Sequence, residues 1–116
     1  MSNTDCIFCK IIAGQIPAKI AFEDDKCLAF HDINPQAPTH ILIIPRHHIA
    51  SLKDATTQEN ELLGHLLISA AKIAGQQGID EGGFRTVINT GAGAGQTVFH
   101  IHVHLLGGRD LTWPPG

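Results

Sequence analysis

The chain has 116 residues, 43% of them hydrophobic, a formal net charge of −3 and three cysteines. That length suits one domain burying about two-thirds of its unfolded surface, and the acidic balance excludes an electrostatic nucleic-acid binder. No apolar run approaches the ~18–20 residues of a membrane span, Met1-Ser2-Asn3-Thr4-Asp5 lacks the basic start and apolar run of a signal peptide, and an odd cysteine count suits a reducing compartment. The expectation is a cytoplasmic protein, one domain over residues 1–116, with neither membrane nor nucleic acid as partner.

Phe8 to Ala13 reads as a short helix stopping near Gly14. Lys19–Glu23 and Cys27–His31 read as strands around the polar turn Asp24-Asp25-Lys26. Thr39–Ile44 is a third strand, apolar enough to be buried on both faces and closed by Pro45. Thr56-x-x-Glu59 matches a capping box, and Leu62, Leu63, Leu66, Ala70, Ile73 and Ala74 then follow a 3.6-residue stripe. Gly78 supplies the stop, with Ile79 placed to pack back on the helix. Phe84–Asn89 and Phe99–Leu106 complete about five strands, so one long and one short helix with these strands predict an α+β fold. Cys27, alternating with apolar neighbours, reads as buried, and His65 as a surface or boundary residue.

Chemistry concentrates near the C-terminus. His100, His102 and His104 alternate with Ile101, Val103 and Leu105. Strand side chains alternate faces, so three imidazoles line an exposed face backed by an apolar one. Such a row can supply a nucleophile, a proton donor and a metal ligand. At roughly 3.3 Å per residue its outer Cβ atoms lie about 13 Å apart, too far for three rings to converge on one ion. A merely polar outer face would be filled more naturally by Thr, Lys or Glu. Upstream, Asn89-Thr90-Gly91-Ala92-Gly93-Ala94-Gly95-Gln96-Thr97 lets backbone N–H groups approach an anion. It is no Walker loop, and a flexible hairpin connection is the plain alternative. It delivers Gln96 and Thr97, with side-chain donors, onto the histidine strand.

His100 to Leu106 resembles the His-φ-His-φ-His-φ-φ signature of the histidine triad (HIT) superfamily. The segments Cys6–Ile11, Phe30–His40, Ile44–Ile49, Gly107-Gly108-Arg109 and Trp113-Pro114-Pro115-Gly116 are similar to its HINT branch, the histidine triad nucleotide-binding proteins. The resemblance implies an antiparallel sheet continued across the two-fold axis of a homodimer; Gly78–Gly83 and an edge strand needing cover suit that pairing. It further implies a purine nucleoside phosphoramidase, a hydrolase releasing AMP or GMP from a nucleoside 5′-phosphoramidate, with no cofactor required for catalysis. By carry-over, His102 attacks the α-phosphorus to form a covalent nucleotidyl-imidazole, and His104 and His40 share phosphate binding and proton delivery. Gln96, Thr97, Gly95 and the Val98 backbone would hold phosphate oxygens, with Asn89 either reaching the phosphate or ending its strand. Thr97 stands where the best-known eukaryotic members carry Ser. Asp32 would hold the ribose, against a plain Asx turn before Asn34-Pro35. Phe30, Ile33 and Phe22 would sandwich a base, and Trp113 would approach the partner's site and select the amine.

Cys6-x-x-Cys9 with two histidines makes a tetrahedral zinc set, His48 and His100 being the best candidates beside the adjacent His47. Spacing leaves a structural zinc and metal-free residues as open alternatives. Two rival functions remain: a metal-dependent nucleotide hydrolase with His102 and His104 as ligands, and a nucleotide-binding regulatory module with little catalysis.

Overall fold

The computed structural model describes residues 5–116; Met1–Thr4, part of the segment bearing on a signal peptide, lie outside the described residues. Among the described residues no helix is long and apolar enough to cross a membrane. Helix α1 (Ile7–Ile12) precedes β1 (Ile20–Glu23), β2 (Cys27–His31) and β3 (Thr39–Pro45); α2 (Asn60–Gln76), β4 (Phe84–Val87) and β5 (Val103–Gly107) follow. The strands form one antiparallel sheet ordered β1-β2-β3-β5-β4. The sequence-predicted α+β fold, with a five-stranded sheet, one short helix and one long one, is the fold observed.

Period-two alternation divides the sheet into two faces. Cys27, Ala29, Ile41, Ile43, Val103 and Leu105 pack against Leu66, Ala70, Ile73 and Ala74 of α2. The opposite face carries Leu28, Phe30, Leu42 and Ile44, capped by Phe8 of α1. The capping box closes as expected, with Thr56 Oγ1 accepting from the Gln58 N–H and Glu59 Oε1 from the Thr56 N–H. It opens a 3-10 turn, Thr57–Glu59, before the α-helix proper. At the far end Gly78 has φ +75°, and the Ile79 and Gly78 N–H groups donate to the Ala74 and Gly75 carbonyls, so both orphan carbonyls are satisfied. His65 is half-buried, bonded to Asp24 Oδ2 at 2.7 Å, and ties α2 to the β1–β2 turn. Burial works against the Asp24 charge, but the Lys26 and Cys27 N–H groups, with His65, hold its carboxyl well below the usual range.

Three expectations are corrected. The last strand is Val103–Gly107, not Phe99–Leu106, because residues 98–102 make other bonds: the Ile101 N–H donates to the Ile49 carbonyl at 2.7 Å, and the His100 carbonyl accepts from the His102 ring. β4 stops at Val87, short of Asn89. Phe22 does not face the histidines. A register shift between Ile20 and Phe22 sets Phe22 opposite Ala29, which turns it to the α2 face, where the Lys72 ammonium lies 5.5 Å from its ring centroid.

Candidate active site

His104 lies on β5 opposite Leu42 of β3, and His40 lies diagonally across the same strand pair, so pleat and register bring the two rings to one face. His40 Nε2 and His104 Nδ1 are 2.9 Å apart. His40 Nδ1 accepts the Gln36 backbone N–H at 3.0 Å, and that N–H can only donate. In neutral His40 the proton therefore sits on Nε2 and is donated to His104 Nδ1. His104 in turn carries its own proton on Nε2. Asp32 Oδ2 lies 3.4 Å from His40 Nε2, while Asp32 Oδ1 accepts the Asn34 N–H at 2.8 Å. The Asx turn is thus formed, and the second oxygen faces the imidazole pair.

His102 Nδ1 lies 2.8 Å from the His100 carbonyl oxygen, which can only accept. The proton is on Nδ1, and Nε2 holds a free electron pair. The His102 and His104 ring centroids are 5.0 Å apart, and Phe8 meets His102 edge-on at 5.1 Å. The expected exposed row is instead covered: His100 is 0% and His102 6% exposed, because α1 lays Phe8 across them. Burial, and then the neighbouring His102 and His40, push His104 down to about 4. Burial also lowers His102 and His40, opposed in both by the Asp32 charge. All three rings are therefore neutral at pH 7.

A cavity of ≈ 410 Å³ opens onto this pair of catalytic candidates. Phe30, Asp32, Ile33, Thr97, Val98, His102 and His104 line it, whereas His40, Asn89, Gly95 and Gln96 do not. Phe8, Ile11, Ile16, Pro17 and Ala18 supply the rest of one wall, and His31 also faces it. Sequence reasoning missed this wall; the only signal was the apolar character of α1 and the segment after it. Phe30 forms a buried floor edge-on to Phe8 at 5.5 Å, whereas Ile33 is fully exposed at the rim. Trp113 is 82% exposed and does not line the cavity; Arg85 holds its segment by donating to the Leu111 and Thr112 carbonyls.

The glycine loop departs from expectation. Gln96 is 3% exposed, its Oε1 accepts from the Gly91 N–H, and its Nε2 donates to the Ala50 and Val98 carbonyls. Both N–H donors of the Gln96 amide, expected for phosphate, are therefore occupied within the chain. The Gly95 and Gln96 backbone N–H groups donate to the Ala92 and Gly91 carbonyls, so they too are taken. Gly95 adopts φ +94° next to the Asn89 amide, and Gln96 pins a closed loop. Among the described residues, neither the Thr97 nor the Val98 N–H has an acceptor in the chain. Those two, the exposed Thr97 hydroxyl and the Asn89 amide are among the donors left for an anion.

The predicted metal set gathers beside this site. Cys6, Cys9, His48 and His100 place one ligand atom each within 4.8 Å of one another. Cys6 Sγ and Cys9 Sγ lie 3.4 and 3.6 Å from His100 Nδ1, Cys9 Sγ lies 3.4 Å from His48 Nδ1, and the two Nδ1 atoms are 3.1 Å apart. Zinc–sulfur and zinc–nitrogen bonds of about 2.3 and 2.0–2.1 Å give tetrahedral edges of roughly 3.3–3.8 Å, close to these separations. His100 Nε2 donates to the Pro45 carbonyl at 2.8 Å, which leaves Nδ1 as a lone pair aimed at the cluster. The protein groups alone push the Cys9 thiol up to about 11, through burial and then Cys6, a cost that a cation would reverse. The residues fit a zinc ion. His47 is exposed and outside the set.

A second trio, Asp32, His40 and His104, also clusters. It does not fit a metal: the Gln36 N–H claims the His40 Nδ1 lone pair, so Nε2 bears the proton and cannot ligate.

An open antiparallel sheet presenting paired imidazoles on β3 and β5, with a third on the approach to β5, defines a histidine triad domain. The HIT domain model matches residues 13–111, and the chain belongs to that family. It is similar to the crystal structure of a HIT family hydrolase from Legionella pneumophila, with 56% identity and a TM-score of 0.95 over 97% of this chain and all of that one. It is 51% identical over 118 residues to a 14 kDa zinc-binding protein of Zea mays, covering 100% of this chain and 91% of that protein. A histidine triad nucleotide-binding protein from Candida albicans is 36% identical, with a TM-score of 0.81 over 95% of this chain and 83% of that one.

Proposed function

We propose that this chain is a hydrolase of the HINT type that cleaves nucleoside 5′-phosphoramidates through a nucleotidyl-His102 intermediate. One observation carries the reading: the His102 Nδ1 contact to the His100 carbonyl frees Nε2 as a nucleophile in a cavity with an apolar floor. The nucleoside lies against Phe30 and Ile33. Asp32 retains lone pairs for ribose hydroxyls, since a carboxylate offers about four acceptor positions. Thr97 and the Val98 N–H face the phosphate oxygens.

The His102 Nε2 electron pair forms a bond to phosphorus as the P–N bond to the amine breaks. That bond's electron pair stays on the amine nitrogen, which takes a proton from the His40–His104 pair. The anionic substrate raises the proton affinity of these neutral rings, as does the nearby Asp32 charge, so the pair takes up one proton from solvent as the substrate binds, and this is the proton it gives to the amine. Water then adds to phosphorus, the bond to His102 breaks, and one water proton returns to the pair. Phosphoramidate and water yield nucleotide and amine.

A zinc ion at Cys6, Cys9, His48 and His100 would be structural, joining α1 to the segments that end β3 and precede β5. It would fix the backbone carbonyl of His100 on which His102 depends. The reading also pairs two copies across a two-fold axis in the cytoplasm, supported by the open β4 edge and by Leu67 and Ile68, exposed on α2; light scattering tests the pairing.

The test is rapid quenching with adenosine 5′-phosphoramidates, followed by mass spectrometry. A nucleotidyl adduct at His102 and loss of turnover in His102→Gly are expected. Turnover that survives in His102→Gly would sink the reading. A chelator-sensitive rate without an adduct would favour a metal-dependent hydrolase instead.

A further inference from the structure

A second cavity, ≈ 420 Å³, lies beside the first and shares Ile7, Thr97 and Val98 with it. None of His40, His102 or His104 faces it. Its own walls include Phe99, and both Ile7 and Phe99 are large apolar residues left about half exposed, at 45% and 48%. Among the described residues, Asp5 is the only acidic one on its lining. In the proposed reaction the attacking and leaving groups lie roughly in line across phosphorus. The amine substituent therefore projects away from His102, while base and ribose fill the cavity beside Phe30 and Asp32. Thr97 and Val98, at the phosphate end, line both cavities, and Cys6 and His48 of the candidate zinc set also line the second.

We infer that this second cavity is the leaving-group subsite, taking the organic part of the amine across the Thr97–Val98 wall. Its chemistry selects aromatic or alkyl amines, and favours a distal cation over a distal carboxylate. The volume lies within the roughly 300–1,000 Å³ of small-molecule sites. Apolar surface from Ile7, Val98 and Phe99 receives the hydrocarbon, and Asp5 receives an ammonium. This rests on the phosphoramidase reading but makes a separate claim, because the chemistry at phosphorus needs none of Phe99 or Asp5.

The experiment compares kcat/KM for three adenosine phosphoramidates: the unsubstituted one, whose leaving group is ammonia, one of an arylalkylamine, and one of a diaminoalkane. Phe99→Ser should lower the arylalkyl rate about tenfold and leave the ammonia rate within twofold; Phe99→Leu should restore most of the loss. Asp5→Lys should lower the ratio of diaminoalkane to arylalkyl rates at least fivefold. Thermal melts and zinc content of each variant identify any loss that comes from folding. Unchanged ratios in both variants, with all three substrates still cleaved, overturn the subsite alone. Cleavage of none by the wild-type protein overturns the phosphoramidase reading and the subsite with it.

Discussion

Replacing Gln96 by Ala separates two accounts of the glycine loop. The buried amide makes three hydrogen bonds, at 2.8, 2.8 and 3.1 Å, to Gly91, Ala50 and Val98. At about 1 kcal/mol net each, their loss costs about 3 kcal/mol. Orphaned carbonyls raise that figure and an entering water lowers it, so about 2–4 kcal/mol is expected. Against a total stability of about 5–15 kcal/mol this is large. With a urea m-value of ~1.5 kcal/mol/M the midpoint falls by about 2 M, with m unchanged. Gln96→Glu keeps the shape but turns an oxygen toward two carbonyls, so it costs more, and the excess over wild type shrinks as acid protonates the new carboxyl. Were Gln96 instead a phosphate donor, either variant would weaken catalysis and leave the urea midpoint within about 0.3 M. A midpoint that stays put refutes the pin.

Stability should fall as pH drops from about 6.5 toward 4 and change little between about 7 and 8, before the Cys9 and Cys27 thiols, raised to about 11, oppose folding at higher pH. The unfolded chain takes up protons near 6.5, whereas His104 resists to about 4 and His40 is lowered too, so the unfolded state binds more protons across that window; urea titrations at stepped pH measure it. Gly108→Ala should destabilise by about 1–2 kcal/mol and slow turnover, since φ is +89° and a Cβ would stand 2.9 Å from Pro38 Cβ, two residues before His40; a thermal melt and a rate measurement test both. Cys9→Ser should abolish stoichiometric zinc and lower the melting temperature, read by metal analysis and calorimetry, because three ligands then remain where a structural site has four. Full zinc content in that variant would remove Cys9 from the set.

What was legible in the sequence followed from periodicity and local chemistry. The apolar run Thr39–Ile44 and the alternation from His100 marked two strands, the family resemblance joined His40 to His104, and the Thr56–Glu59 box and Gly78 bounded the long helix. The cysteine pair and two histidines converge as their donor types suggested. What escaped depended on register and on contacts between distant segments. A single extra residue at Ile20–Phe22 reverses the parity of β1, which no local pattern announces, and so Phe22 belongs to the α2 core. Gln96 looked free because its partners, Ala50 and Gly91, are brought to it only by folding. The row of three histidines is not one strand face but two functions divided by a bend: His100 turns to the cysteines, and His102 and His104 turn to the cavity.

That division makes the backbone, rather than another side chain, the arbiter of proton positions. The His100 carbonyl selects the His102 tautomer, and the Gln36 N–H selects that of His40 and, through it, that of His104. Arg109 Nε donates to the Gln36 carbonyl at 3.1 Å, and the Gln36 amide donates to the Asn34 carbonyl, so the donor is itself held in place. Gln36→Pro deletes the N–H together with the side-chain bond to Asn34, whereas Gln36→Ala loses only the side chain and serves as its control. Nitrogen-15 NMR of the wild-type protein should show His40 and His104 protonated on Nε2 and His102 on Nδ1. In the proline variant, His40 should populate the Nδ1–H tautomer, His104 should lose its fixed donor, and kcat should fall about tenfold or more while nucleotide affinity changes less, because the deleted group touches the proton path and not the nucleoside wall. A His40 protonated on Nδ1 in the wild type would break the chain of reasoning at its first link, whatever the variant did.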